Sequence, residues 1–373
     1  MCMKVPFLDL QSQFKTLKAE ILAALEEVCE EQAFILGSRV ESLEKSIADY
    51  LSVPHAIGVA SGSDALLLSL MALEVGPGDE VVTSPYTFFA TVGAILRLGA
   101  RPVFVDIDPQ TYNLNPLLLD AALTPKVRAL LPVHLFGQCS EMKSIQALAR
   151  DEDLKIVEDA AQAIGAKYQG RRAGTLGDLG CLSFYPTKNL GGFGDGGMVV
   201  TSDNELADRL RLLRVHGCRE RYRHEVIGCN SRLDALQAAV LIIKLKYLDQ
   251  WTELRRRHAA TYERLFSEAG LVEQVLLPRE QSGHYHVYNQ YVIRVQKRDE
   301  LKKFLGQEGI GTEVYYPLPM HLQPCLRHLD YHEGDYPEAE RAAEESLALP
   351  IYPELTQEQQ VYVVEKIKAF YSR

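Results

Sequence analysis

Seven short strand-like runs, most of them separated by helical patterns, leave this chain little choice of architecture. The runs are Ala56–Ala60, Glu80–Thr83, Pro102–Asp106, Ala129–Val133, Lys155–Glu158, Cys181–Phe184 and Met198–Thr201. Between them apolar residues recur at helical spacing, as in Asp64–Leu73, Phe88–Leu98 and Glu141–Arg150. Parallel strands need a crossover between them, and crossover helices cover the faces of the sheet. The expected fold class is therefore α/β, a mostly parallel seven-stranded sheet flanked by helices. Two amphipathic helices, Gln11–Val28 and Ser38–Tyr50, precede it on either side of Gly37. Ser202-x-x-Glu205 reads as a capping box for a helix through Arg214, and Leu233–Phe266 as the longest helical region. From about Leu254 the chain becomes charged and helical. Alternation over Asn289–Val295, a helix over Asp299–Gly309 and a final helix capped by Thr356-x-x-Gln359 follow. This predicts a smaller α+β domain. For 373 residues the expected division is 1–252 and 253–373, with the N-terminal helix packed on the smaller part.

Composition excludes several classes of function. A net charge of −10 argues against general nucleic-acid affinity, though a local basic site can still take an anionic small molecule. No apolar run approaches the ~20 residues of a membrane span, and no leader pattern opens the chain. The seven cysteines are scattered, odd in number and form no C-x-x-C pair, which suits a reducing compartment. Cytoplasmic residence is the expectation. No H-E-x-x-H and no closed Cys/His quartet is present, so no metal site is expected.

Ligands of open α/β sheets bind beyond the carboxyl ends of the strands, and four segments there carry chemistry. Ser61-Gly62-Ser63-Asp64 is a small-residue turn entering a helix. It reads equally as a capped helix start or as a set of free amides facing a phosphate. Ser84-Pro85-Tyr86-Thr87-Phe88-Phe89 places aromatics at a strand end. Asp159 ends an apolar strand, where an unpaired carboxylate is costly, so it must meet a cation or donors or cap a helix. Lys188 lies between a strand-like run and a loop holding Gly191, Gly192, Gly194, Gly196 and Gly197, where a backbone can pass close to a flat ligand. Gly192-x-Gly194-x-x-Gly197 matches the dinucleotide fingerprint, but a strand rather than a helix follows it, which excludes that reading. His134, at another strand end, reads as a polar core residue outside the catalytic set. The cluster Arg219, Arg221, Tyr222, Arg223 and His224 is either solvated or steers a nucleotide diphosphate.

S-F-x-x-x-K-N-L at Ser183–Leu190, followed by G-D-G-G at Gly194–Gly197, resembles the cofactor-lysine segment of a known family. These are the pyridoxal-phosphate-dependent sugar aminotransferases of DegT/StrS type, with the aspartate aminotransferase fold (fold type I). Similar segments run from Val5-Pro6-Phe7-Leu8-Asp9 to Leu349-Pro350-Ile351-Tyr352. The resemblance implies pyridoxal 5′-phosphate held by Lys188, with pyridoxamine phosphate as its other working form. Gly62, Ser63, Asp64 and Ser183 would meet the phosphate. Phe88, rather than Phe89 or Tyr86, would stack on the ring, Gln162 would lie near the ring hydroxyl, and Asp159 would hold the ring nitrogen. Asn230 would reach the cofactor of the other subunit in a homodimer with shared sites, unless it caps the helix after it. Arg232, Tyr316 and His321 are the expected substrate contacts.

The implied activity moves an amino group from an amino acid, L-glutamate by analogy, onto the keto carbon of a UDP- or dTDP-linked sugar. Asp195 before the paired glycines resembles the form found in members acting on 3-keto sugars, whereas many 4-keto enzymes carry Glu there. The alternatives are a 4-keto enzyme, a sugar dehydratase of the same fold, in whose branch histidine replaces the lysine, and a regulatory protein.

Overall fold

The structure, a computed structural model, describes residues 3–372. Its chain begins with α1 (Leu10–Glu31) and α2 (Ser38–Leu51). Then follow β1 (His55–Val59), α3 (Gly62–Ala72), β2 (Glu80–Thr83), α4 (Phe89–Arg97) and β3 (Arg101–Phe104). After these come β4 (Val127–Leu131), α5 (Met142–Asp151), β5 (Lys155–Asp159), β6 (Leu179–Ser183) and β7 (Gly197–Thr201). All seven strands form one sheet in the order β1-β7-β6-β5-β4-β2-β3. Strand β7 pairs antiparallel with β1 and β6, and the remaining pairs are parallel. Every strand lies within two residues of its expected position. The near-continuous burial of β4 to β7 is what a sheet covered on both faces demands. One face packs Ile145, Ile156 and Leu241, the other Leu66, Val81 and Val157.

Beyond the sheet lie α6 (Asn204–Leu213), α7 (Ala235–Leu245) and α8 (Leu248–Glu268). The expected single helix over Leu233–Phe266 is thus two helices, meeting at Lys246–Tyr247. Helix α7 is wedged against α1 and α2, while α8 leads away: Leu248 sits in the large core, but Tyr262 and Phe266 sit in a second one. The cap of α6 also differs from expectation. Asp203, one residue past Ser202, accepts the N–H groups of Glu205 and Leu206 at 2.8 and 3.0 Å, so no Ser202 capping box forms. A carboxylate is the stronger acceptor at a helix N-terminus.

The second core is built on an antiparallel sheet of β8 (Val275–Leu276), β9 (Tyr291–Val295) and β10 (Ser346–Leu349), in the order β8-β9-β10. Helices α9 (Arg298–Gln307), α10 (Pro337–Glu345) and α11 (Gln357–Tyr371) surround it. Thr356 and Gln359 form the expected capping box at the start of α11. Helix α1 does not pack on this core. Its Leu17 and Ile21 meet Val240, Ile243 and Trp251, whereas the lead-in residues Val5, which bridges to Ile310, and Leu8 pack on the second core.

Candidate active site

A cavity of about 470 Å³ opens at the carboxyl ends of β1, β2, β4, β5 and β6, roofed by a segment of the smaller core. On one side the chain leaves β1 and enters α3. Ser61 is the N-cap, its Oγ accepting the Asp64 N–H at 3.1 Å. The amides of Gly62 and Ser63, in the first turn, have no intrahelical acceptor and line the cavity. Gly62 is required there because a Cβ would stand 2.7 Å from Cβ of Ser183, whose hydroxyl also borders the cavity. Asp64 does not line it: Ser61 takes its amide, and its carboxylate lies near Cys229. The expectation that Asp64 meets a ligand is therefore corrected.

Opposite stands Asp159 at the end of β5, buried, its carboxylate accepting Thr91 Oγ1 at 2.8 Å and the Ala161 N–H at 3.2 Å. Burial raises its pKa, while Thr91, Ala161 and the Lys188 cation pull it back. Lys188 projects from the turn after β6, and desolvation lowers its amine to about 8 against a weaker pull from Asp159. The cavity thus holds an amine that is still mostly protonated at physiological pH but gives up its proton far more readily than a surface lysine, and a carboxylate that lacks a full counter-charge. Gln162 is fixed at both ends, Oε1 accepting the Phe136 N–H at 2.7 Å and Nε2 donating to Tyr316 Oη at 3.2 Å. Of the three aromatics after β2, Phe88 lines the cavity, Phe89 does not, and Tyr86 is wholly buried.

His134 is buried beside this group. Its Nδ1 accepts the Ser140 N–H at 3.1 Å, so the ring proton sits on Nε2 and is donated to Glu158 at 2.8 Å. Glu158 also accepts the N–H groups of Gly174, Leu176 and Gly177. This anchor, which sequence reasoning did not find, fixes the strand residue immediately before Asp159.

Gly196 of the glycine-rich loop lines the cavity, but Gly191 and Gly197 serve a purpose other than the expected one. A Cβ on Gly191 would stand 2.3 Å from the Pro186 oxygen, and one on Gly197 2.3 Å from the Ser61 oxygen. These glycines let backbone pack on backbone; they do not face open space for a flat ligand. The loop is pinned by α7, through Gln237 Oε1 on the Phe193 N–H (2.7 Å) and Lys244 Nζ on the Gly191 oxygen (2.7 Å). Lys244 is buried with no carboxylate partner among the described residues, and burial lowers its amine to about 8. Asp195, at the tip, lines the cavity.

Of the other expected contacts, Tyr316 lines the cavity, its ring centroid 6.1 Å from that of Phe88. His321 does not. It is 2% exposed, with Nε2 2.8 Å from Glu340 Oε1 and its ring against Tyr336, because Met320–Leu322 turns these side chains inward. The expected substrate contact by His321 is corrected accordingly. Asn230 is exposed, outside the cavity of its own chain, and caps no helix, since α7 starts from Asp234. Arg232 also lies outside the lining, with its Nε buried and lacking an acceptor. Among the described residues no helix is long and apolar enough to cross a membrane, and no cluster could hold a metal ion.

The donor set fits pyridoxal 5′-phosphate. Its phosphate matches the free amides of α3 and the hydroxyls of Ser63 and Ser183, its aldehyde the Lys188 amine, its ring nitrogen Asp159, and its flat face Phe88.

Comparison with known proteins agrees. The DegT/DnrJ/EryC1/StrS aminotransferase family matches residues 15–368. A Geobacillus stearothermophilus relative named pleiotropic regulatory protein is 56% identical over 99% of both chains. An Acidithiobacillus ferrooxidans relative, named UDP-N-acetyl-3-dehydro-alpha-D-glucosamine 3-aminotransferase, is 44% identical over 95% of both. The structure of DesV from S. venezuelae, in complex with a ketimine intermediate, superposes with a TM-score of 0.95 at 44% identity, covering 99% of both chains. A Bacillus subtilis structure with pyridoxamine phosphate bound has a TM-score of 0.93 at 34% identity, covering 99% of this chain and 86% of that one.

Proposed function

The chain belongs to the DegT/DnrJ/EryC1/StrS aminotransferase family, and from that premise we propose that it aminates carbon 3 of a UDP- or dTDP-linked 3-keto sugar, with L-glutamate as donor. The observation that carries the reading is the pairing of Lys188 and Asp159 in one cavity with the open N-terminus of α3. When bound, pyridoxal phosphate supplies the aldehyde that receives the amino group and a ring that accepts the electron pair left at the donor carbon. The residues do the rest. Ser63, Ser183 and the α3 amides hold the phosphate. Asp159 keeps a proton on the ring nitrogen. Lys188, with its amine lowered to about 8, is neutral often enough to take a proton from the donor Cα and return one to the sugar carbon in the second half of the cycle. Gln162 and Phe88 orient the ring. Tyr316, which lines the cavity, meets the substrates.

Regiochemistry rests on Asp195, which lines the cavity, and on the name of the Acidithiobacillus relative. A side chain one carbon shorter than Glu leaves a different floor, and a shift of about 1 Å can cost ~10²-fold in rate. With paired 3-keto and 4-keto nucleotide sugars and glutamate, NMR of the product will place the amine on C3. Faster conversion of the 4-keto sugar would overturn that assignment. A second reading, a regulator that keeps the fold, is favoured by the name of the Geobacillus relative. Failure of the loaded protein to transfer an amine to either sugar would favour it.

Shared sites in a homodimer give a further expected result. Asn230 is exposed and outside its own cavity, so in this reading it meets the partner's phosphate. Mixing Lys188→Ala with an Asn230→Ala variant, each inactive alone, will restore activity through hybrid dimers that carry one intact site. Absence of recovery despite proven subunit exchange would remove Asn230 from any site.

A further inference from the structure

Tyr86 was a stacking alternative to Phe88 by sequence, yet it is wholly buried and lies outside the cavity. Its hydroxyl lies within reach of four groups of the smaller part, the most distant being the Ala342 carbonyl at 3.3 Å. It donates to the Tyr315 carbonyl at 2.5 Å, accepts the Tyr316 N–H at 3.0 Å, and lies 2.7 Å from Ser346 Oγ. One donor and two acceptor lone pairs are thereby all used. Burial pushes the phenol up to about 12, so it stays protonated and keeps this pattern. The neighbouring Pro85 carbonyl accepts the Met320 N–H at 2.7 Å, tying the same loop at a second point. Pro85 and Tyr86, just beyond β2, thus hold the segment that roofs the cavity. That roof carries Tyr315 and Tyr316, while Gln162, which touches Tyr316 Oη, is held on its other side by the Phe136 N–H independently of the roof.

We propose that Tyr86 is a positioning residue for sugar recognition: its hydroxyl fixes the Tyr315–Tyr316 roof at the height the sugar ring requires. The inference rests on the nucleotide-sugar reading above. An amino-acid donor is small and needs only the floor at Lys188. A sugar ring must also pass under the two tyrosines, so displacement of the roof acts on one substrate more than on the other.

Tyr86→Phe tests this with little change of shape, leaving the part-buried Tyr316 N–H without its acceptor, since Ser346 Oγ can turn to the Tyr315 carbonyl. Hydrogen exchange in the peptide spanning residues 315–322 will then quicken by about tenfold. The KM for the keto sugar will rise by a similar factor, while the donor half-reaction, followed by cofactor absorbance with glutamate alone, keeps its wild-type rate. Ser346→Ala, which leaves Tyr86 to receive the Tyr316 N–H, will keep near-wild-type exchange there. Unchanged exchange in Tyr86→Phe, or an equal loss in both half-reactions, would overturn the proposal. If wild-type protein aminates no keto sugar, the substrate reading falls by itself, and the exchange measurement still decides whether Tyr86 holds the roof.

Discussion

Lys188→Ala will leave the chain folded and lower turnover by roughly 10⁴-fold, the upper range for loss of a positioned proton carrier. The turn that presents this residue is made by backbone, Lys188 N–H to the Tyr185 carbonyl at 2.9 Å, and alanine keeps it. The side chain itself is a burden on the fold. Desolvation lowers its amine from 10.5 to about 8, so the folded state binds the proton less tightly than the unfolded one. Below about pH 8 that penalty is fully present, and it fades as pH rises towards 10.5, where both states are neutral. Alanine removes it, so melting of the variant near pH 7 will match or exceed wild type while activity is lost. In cofactor-free protein, an amine reagent such as trinitrobenzenesulfonate will modify Lys188 with a midpoint near pH 8, whereas surface lysines titrate about two units higher. Borohydride treatment of the loaded protein, followed by digestion and mass mapping, will find the cofactor on the Lys188 peptide. Finding it on Lys155 or Lys167 would remove Lys188 from its role.

Much of this could be read from sequence because the sheet is buried on both faces, which forces apolar runs of fixed length bounded by turns. Residues at strand ends, Ser63, Asp159, Ser183 and Lys188, inherit their placement from that pattern and arrive in one cavity. What escaped depends on contacts far apart in sequence. His321 sits in a loop that by resemblance faces the site, but nothing local says that Glu340 will draw it inward. Asp64 and Ser61 compete for the start of α3, and only backbone geometry decides that Ser61 wins. The glycines after Lys188 looked like clearance for a ligand; Gly191 and Gly197 instead make room for Pro186 and Ser61, which their own spacing does not reveal. Tyr86 read only as a stacking alternative and Lys244 carried no signal, since a buried tyrosine or lysine looks like any other until its partner is seen.

Asp159→Asn will lower turnover by about 10³-fold, the range for removing a preorganised charge, while leaving the protein at least as stable. The carboxylate is 5% exposed and has two donors, Thr91 Oγ1 and the Ala161 N–H, which an amide oxygen can still accept in part. Burial raises its folded pKa above the ordinary value near 3.8, so the folded state binds the proton more tightly than the unfolded one. Stability contributed by that proton is present at low pH and lost as pH rises through the folded pKa, leaving a desolvated charge at neutral pH. Asparagine carries no such charge, and the cofactor-free variant will melt at or above the wild-type temperature at pH 7. Catalysis moves the other way. An amide cannot hold a proton on the ring nitrogen as a carboxylate does, so the ring accepts electrons less readily in both half-reactions. A residue that merely shaped the turn through Ala161 would give the reverse pattern, a lower melting temperature with near-wild-type kcat. Melting curves of the cofactor-free proteins, set beside kcat for the loaded ones, separate the two, and a destabilised variant with intact kcat would reduce Asp159 to a turn former.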